Sequence, residues 1–151
     1  MKTIIISPFS KPLRTGKINP KNYPYWEQVV KNLRLLGYHT IQIGSIGEPS
    51  IGADDTKLGL KLKDLKKLLD ESVGFACVDN FFNHFATFYK KKGVVIFGRS
   101  DPKIFGYEQN INLLKDRACL RKNQFDIWEH DEFRADVFVS ADEVVAAICR
   151  L

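Results

Sequence analysis

Three short runs of this chain are apolar at almost every position: Thr3–Ile6 (TIII), Phe75–Val78 (FACV) and Val94–Phe97 (VVIF). A fourth, Thr40–Ile43 (TIQI), comes close to the same pattern. Runs this short and this rich in β-branched residues read as strands, and strands apolar on both faces need a parallel sheet covered on both sides. The segments between them have the helical period. Trp26, Val29, Val30, Leu33 and Leu36 recur behind Pro24, and Gly37 is placed to close that helix. Leu62, Leu65, Leu68 and Leu69 define a second helix with lysines on its other face. A third is expected from Phe81 to Tyr89, with Phe81, His84, Phe85 and Phe88 sharing one stripe. Ser140 and Glu143 form a capping box ahead of Val144, Val145 and Ile148, so a helix closes the chain. Ile111–Leu114 is a short strand, and Asp136–Val139 a last strand or extended segment. Arg121–Glu132 shows no period and receives no assignment. This alternation specifies an α/β fold: a single Rossmann-like three-layer domain over residues 1–151, with a mostly parallel sheet and helices on both faces.

A chain of 151 residues is long enough to bury its own core. Cys77, Cys119 and Cys149 include no CxxC pair, and His39, His84 and His130 stand apart in sequence. Neither a disulfide framework nor a metal site is therefore expected. The apolar start is too short for a signal peptide and no later stretch could span a bilayer, so a cytoplasmic setting is expected. The formal charge of +5 suits a phosphate-bearing partner, and equally suits solubility alone. Nucleic acid is disfavoured, because no recognised motif or interleaving of aromatic and basic residues is present.

Polar residues collect just after each strand, where parallel α/β sheets bind ligands. The first such loop carries Lys11, Arg14, Lys17 and Lys21. The second, GSIGEPSIGADD, carries Glu48, which reads either as a ribose ligand or as an exposed loop carboxylate. It contains no GxGxxG or Walker A spacing. The third begins with Asp79 and Asn80, both good helix caps, at a helix start that favours an anion. His84 follows, compatible with a hydrogen-bonded core histidine or with a site residue. The fourth loop brings Arg99, Ser100 and Asp101 to the same rim. No Ser–His–Asp or Cys–His arrangement is present, and no catalytic residue is assigned.

The stretch VDNFFNHFATFYKKKGVVIFGRSDP resembles the D-S/T-G-x-x-H-x-A and F-G-x-T-x-P region of the heptosyltransferase-like family 9 glycosyltransferases, which have the GT-B fold. ISP with its lysine-bearing loop and YPYWEQVVKNLRLLGY, then YHTIQIGSIGE, DLKKLLDESVGFACVDN and VFVSADEVVAAI, resemble further family segments in the same order. The resemblance implies the C-terminal half of GT-B, which binds a nucleotide-diphosphate sugar such as ADP-heptose. Lys17 or Lys21 would neutralise the diphosphate and Glu48 would hold the ribose. Asp79, Asn80 and Phe81 would line the turn beneath phosphates or sugar, with His84 close by. No metal or cofactor is implied. Two positions depart from the family: Phe81 replaces the usual glycine, and Arg99, able to supply charge, replaces a proline. The family's N-terminal, acceptor-binding domain has no counterpart here. Transfer would then need a separate acceptor-domain protein or a homo-oligomer; the alternative is a module that binds nucleotide or nucleotide sugar without catalysis.

Overall fold

The computed structural model describes residues 1–151. Its elements follow in the order β1 (Thr3–Ser7), α1 (Trp26–Leu35), β2 (His39–Gly44), β3 (Asp55–Leu58), α2 (Leu62–Glu71), β4 (Gly74–Val78), α3 (Phe81–Phe88), β5 (Gly93–Phe97), α4 (Pro102–Phe105), β6 (Ile111–Leu114) and α5 (Ala141–Ile148). The strands form one sheet in the order β3-β2-β1-β4-β5-β6, and every pairing is parallel.

The pleat of the central strands divides the core into two layers. Ile4, Ile6, Ala76, Val78, Val94 and Ile96 face α1 and α5, meeting Trp26, Val29, Leu33, Val144 and Ile148. The intervening residues Ile5, Phe75, Cys77, Val95 and Phe97 face α2 and α3, where Leu65, Leu69, Phe82 and Phe85 cover them. Burying each large aliphatic or aromatic side chain contributes about 1.5–3 kcal/mol, so both layers are needed to hold the sheet. The capping box of α5 forms: the Ser140 hydroxyl accepts from the Glu143 amide, and the Glu143 carboxylate accepts from the Ser140 amide.

Three local features differ from expectation. β3 lies within and just after the glycine-rich stretch assigned to a turn. Its residues are exposed or half-buried because it is an edge strand, so it carries no apolar run to betray it. The connector before it contains no helix. Gln42, fully buried, holds it by accepting from the Ile51 amide and donating to the Pro49 carbonyl. In α3 the buried stripe is Phe82, Phe85 and Ala86, one residue on from the expected one. Phe81, His84 and Phe88 face outward, with Phe81 60% and Phe88 77% exposed. Finally, the segment expected as a strand or extended chain opens with a 3-10 turn, Ala135–Val137, and becomes extended only at Phe138. Val137, Phe138 and Val139 are buried in the α1/α5 layer and belong to no strand.

Gly93 sits beside Phe75 in the β4–β5 register, and a Cβ at Gly93 would run into the Phe75 ring. Gly93→Ala should therefore destabilise the chain by about 1–3 kcal/mol through overpacking. Urea unfolding checks this; wild-type stability would mean that Phe75 can move aside freely.

Candidate functional site

In an open parallel sheet the ligand crevice forms where adjacent strands send their connections opposite ways. Here that point is β1 beside β4: β1 leads through α1 to β2, and β4 leads through α3 to β5 on the other side. Asn80 fastens the two strand ends together. Its side-chain oxygen accepts from the Phe82 amide (3.0 Å) and caps α3, a role Asp79 was equally suited to by residue type. Its NH2 group faces the Ser7 carbonyl (3.2 Å), the Ser7 hydroxyl (3.0 Å) and the Phe9 carbonyl (3.2 Å). The Ser10 hydroxyl donates to the Asp79 carbonyl at 2.8 Å, tying the first loop down a second time.

Above this junction lies a crevice of about 630 Å³. Its lining mixes apolar residues, Ile43, Leu60, Leu65 and Phe82, with charged ones, Lys11, Lys21, Lys57 and Asp79. The Lys21 ammonium stands 3.7 Å from the buried Asp79 carboxylate and 5.5 Å from the centre of the Trp128 ring. Glu48 packs its carboxyl group directly against Gly44, where any Cβ would collide with it. One Glu48 oxygen is buried with no protein partner. Burial raises the Glu48 pKa above its ordinary value, with the Ser45 main chain pulling more weakly the other way. At the rim, His84 Nδ1 lies 2.7 Å from the Tyr107 hydroxyl, which leaves Nε2 unengaged.

Of the residues singled out in the sequence, Lys21, Glu48, Asp79, Asn80, Phe81 and His84 line this one crevice. Lys17 does not. It faces a neighbouring groove and pairs with Glu132 at 3.3 Å. Arg99 also lies outside the lining and turns toward Asp131. Sequence reasoning missed Lys57, which sits on the unrecognised edge strand, and Trp128, which sits in the segment without a period. Tyr107 was missed as well, since nothing in sequence links it to His84. No group of His, Cys, Asp or Glu side chains is arranged to hold a metal ion, and no helix is long and apolar enough to cross a membrane.

Because Glu48 is raised, the folded chain keeps its proton to higher pH than the unfolded chain does. Stability therefore falls as pH rises from the ordinary glutamate value through the raised one, and below that window Glu48 contributes no loss. Glu48→Gln should raise the melting temperature of the free chain near pH 7, by roughly 1–3 °C, and leave it unchanged near pH 4. A drop at neutral pH would instead show that the carboxylate is favourably held.

No protein-family model and no curated protein sequence matches the chain. Solved structures do. A family 9 glycosyltransferase from Veillonella parvula superposes with a TM-score of 0.69 at 16% identity, over 97% of this chain and 44% of its own. The dodecameric iron-containing heptosyltransferase TibC, in complex with ADP-D-beta-D-heptose, gives 0.68 at 17% identity over 99% of this chain and 44% of its own. The E. coli heptosyltransferase WaaC with ADP gives 0.59 at 13% identity over 74% and 37%. The chain spans less than half the length of each of these proteins. It has the fold of one half of a GT-B heptosyltransferase.

Proposed function

We propose that the β1–β4 crevice binds a nucleoside-diphosphate sugar and that the chain serves as the donor-binding, C-terminal-type half of a GT-B glycosyltransferase. The acceptor would be presented by a separate chain or by self-assembly. One observation carries this reading: the same crevice is lined by a largely buried ammonium, Lys21, and by the Glu48 carboxyl group. A nucleoside diphosphate supplies a counterpart to each, phosphate oxygens for the first and ribose hydroxyls for the second. The ADP and ADP-heptose complexes of the structurally similar heptosyltransferases support the same assignment.

In transfer, the bond between the sugar's anomeric carbon and the diphosphate breaks with its electron pair leaving on the diphosphate oxygen. An acceptor hydroxyl oxygen forms the new bond, and its proton would pass to a base on the acceptor-bearing partner. Lys21, Lys11, Lys57 and the amides opening α3 would stabilise the departing charge. A second reading, binding without transfer, is favoured by Phe81. Its side chain lines the crevice where the family resemblance has glycine, and it occupies space next to the Asp79 turn.

At a hundredfold excess over its dissociation constant, a ligand adds about 2.7 kcal/mol of stability, a melting rise of roughly 5–10 °C for a chain this size. ADP and ADP-linked sugars should produce such a rise. Lys21→Ala and Glu48→Ala should remove most of it, whereas Lys17→Ala should preserve it. Absence of a rise with any nucleoside diphosphate or nucleotide sugar would sink the proposal. Phe81→Gly separates the two readings: tighter binding of the nucleotide sugar but not of ADP identifies Phe81 as an obstacle at the sugar position and favours the binding-only module.

A further inference from the structure

The segment between β6 and α5 returns across the carboxyl edge of the sheet and is anchored at both ends. On the β5 side the Arg121 amide donates to the Arg99 carbonyl (2.9 Å), and Gln124 Oε1 accepts from the Asp101 amide (2.8 Å). On the β1 side Glu129 accepts from the Arg14 amide and Glu132 pairs with Lys17. Trp128 stands between these anchors and forms part of the crevice wall. The Arg121 side chain, only 3% exposed, holds it there. Its guanidinium donates to the carbonyls of Asp126 (2.6 Å) and Ile127 (2.9 Å), binds Asp131 (2.8 Å), and lies 3.9 Å from the centre of the Trp128 ring.

Trp128 in turn meets Lys21. That ammonium belongs to a side chain only 19% exposed, and its two neighbours are the indole ring and the Asp79 carboxylate at 3.7 Å, beyond hydrogen-bond reach. The two neighbours act differently on a cation. A carboxylate in contact would take up N–H donors and cancel the charge. A ring face attracts the charge through its quadrupole without neutralising it as a carboxylate does. An ammonium held by a ring is therefore better prepared for an incoming oxyanion than one closed onto a carboxylate.

We infer that Trp128 is a positioning residue for a pyrophosphate seat: clamped on Arg121, it holds the Lys21 ammonium away from Asp79 and presents its donors to a pyrophosphate-bearing ligand. This rests on the reading of the crevice as a nucleoside-diphosphate site. Trp128 acts through Lys21, so its contribution exists only while the ammonium is present. The ligand class follows from the seat, where the Lys21 cation is joined in the same lining by Lys11 and Lys57.

The test is a double-mutant cycle on the full chain, with ADP and inorganic pyrophosphate titrated by calorimetry. Trp128→Leu should weaken ADP binding on the order of tenfold, the scale of a largely desolvated cation–π contact. Trp128→Phe, which keeps a ring face, should restore most of it. In a Lys21→Met background, Trp128→Leu should bring little further loss, because the interaction it serves is already gone. Full additivity of the two losses, or equal weakening by leucine and phenylalanine, would overturn the role of Trp128 while leaving the nucleotide site intact. Failure of the wild-type chain to bind either ADP or pyrophosphate would overturn both the site and the seat. Circular dichroism melting of each variant shows whether a loss of affinity is simply a loss of fold.

Discussion

The Asn80 carboxamide joins two parts of the structure that the backbone alone would leave independent. Its oxygen begins α3, and its nitrogen gathers the carbonyls at the end of β1. Parallel strands have no hairpin to hold their ends together, so the carboxyl edge depends on side chains for its geometry. With Asn80 in place the loop after β1 is pinned at Ser7 and Phe9, and Ser10 pins it again on the Asp79 carbonyl. Asn19 continues the work by accepting from the Lys21 amide and donating to the Lys11 carbonyl. Two of the three lysines that line the crevice, Lys11 and Lys21, are thus fixed at the backbone, leaving their side chains to respond to charge. A long, polar, proline-rich loop behaves as part of the scaffold.

The same edge holds features that reduce stability in the free chain. Lys21 and Asp79 are both largely withdrawn from water without a tight hydrogen-bonded ion pair between them. Glu48 is raised by burial and retains an oxygen without a donor. Charged groups placed this way usually destabilise a fold, since desolvation is offset only by close partners. Away from the crevice some charged groups are closely partnered, while others, such as the buried Arg99 Nε, lack a hydrogen-bond partner as well. Arg117 grips Asp101 with two hydrogen bonds of 3.0 and 2.8 Å, and Asp54 is lowered to about 2 by Arg34 and Thr40 despite the opposing effect of burial. Loosely partnered charge is thus not confined to the crevice; what is particular to the crevice is that Lys21, Asp79 and Glu48 line one cavity.

Much of the fold was legible because the signal that forms it is local. Both-faced apolar runs such as FACV and VVIF, alternating with helical periods, point to a parallel interior, and Pro24, Gly37 and the Ser140–Glu143 pair mark helix ends by their own chemistry. The parts that escaped depend on distant partners. β3 is a strand because β2 offers it an edge, and DTKL itself declares nothing. The stripe of α3 was misplaced because four phenylalanines in eight residues fit two registers, and only the packing of Phe82 on Phe75 decides between them. In the crevice, loop position after a strand was enough to bring Lys21, Glu48 and Asp79 together. Distinguishing Lys21 from Lys17 was not possible, because their separation arises from where Glu132 lies, over a hundred residues away.

Likeness of fold at 13–17% identity establishes architecture, and chemistry then has to be read from the side chains. The crevice meets that demand on one side more fully than on the other. For the nucleotide of the proposed reading, cations, a carboxyl group and a helix start line the crevice. For its sugar the proposed reading has Phe81 and His84, one exposed aromatic and one imidazole beside the Tyr107 hydroxyl. A nucleotide-binding surface needs only the first set, because its affinity is a ground-state property. Group transfer needs an acceptor oxygen held in line at the anomeric carbon, and that positioning requires a second wall facing the crevice. On the proposed reading, nucleotide binding needs only this fold, whereas transfer would need a second wall from a partner.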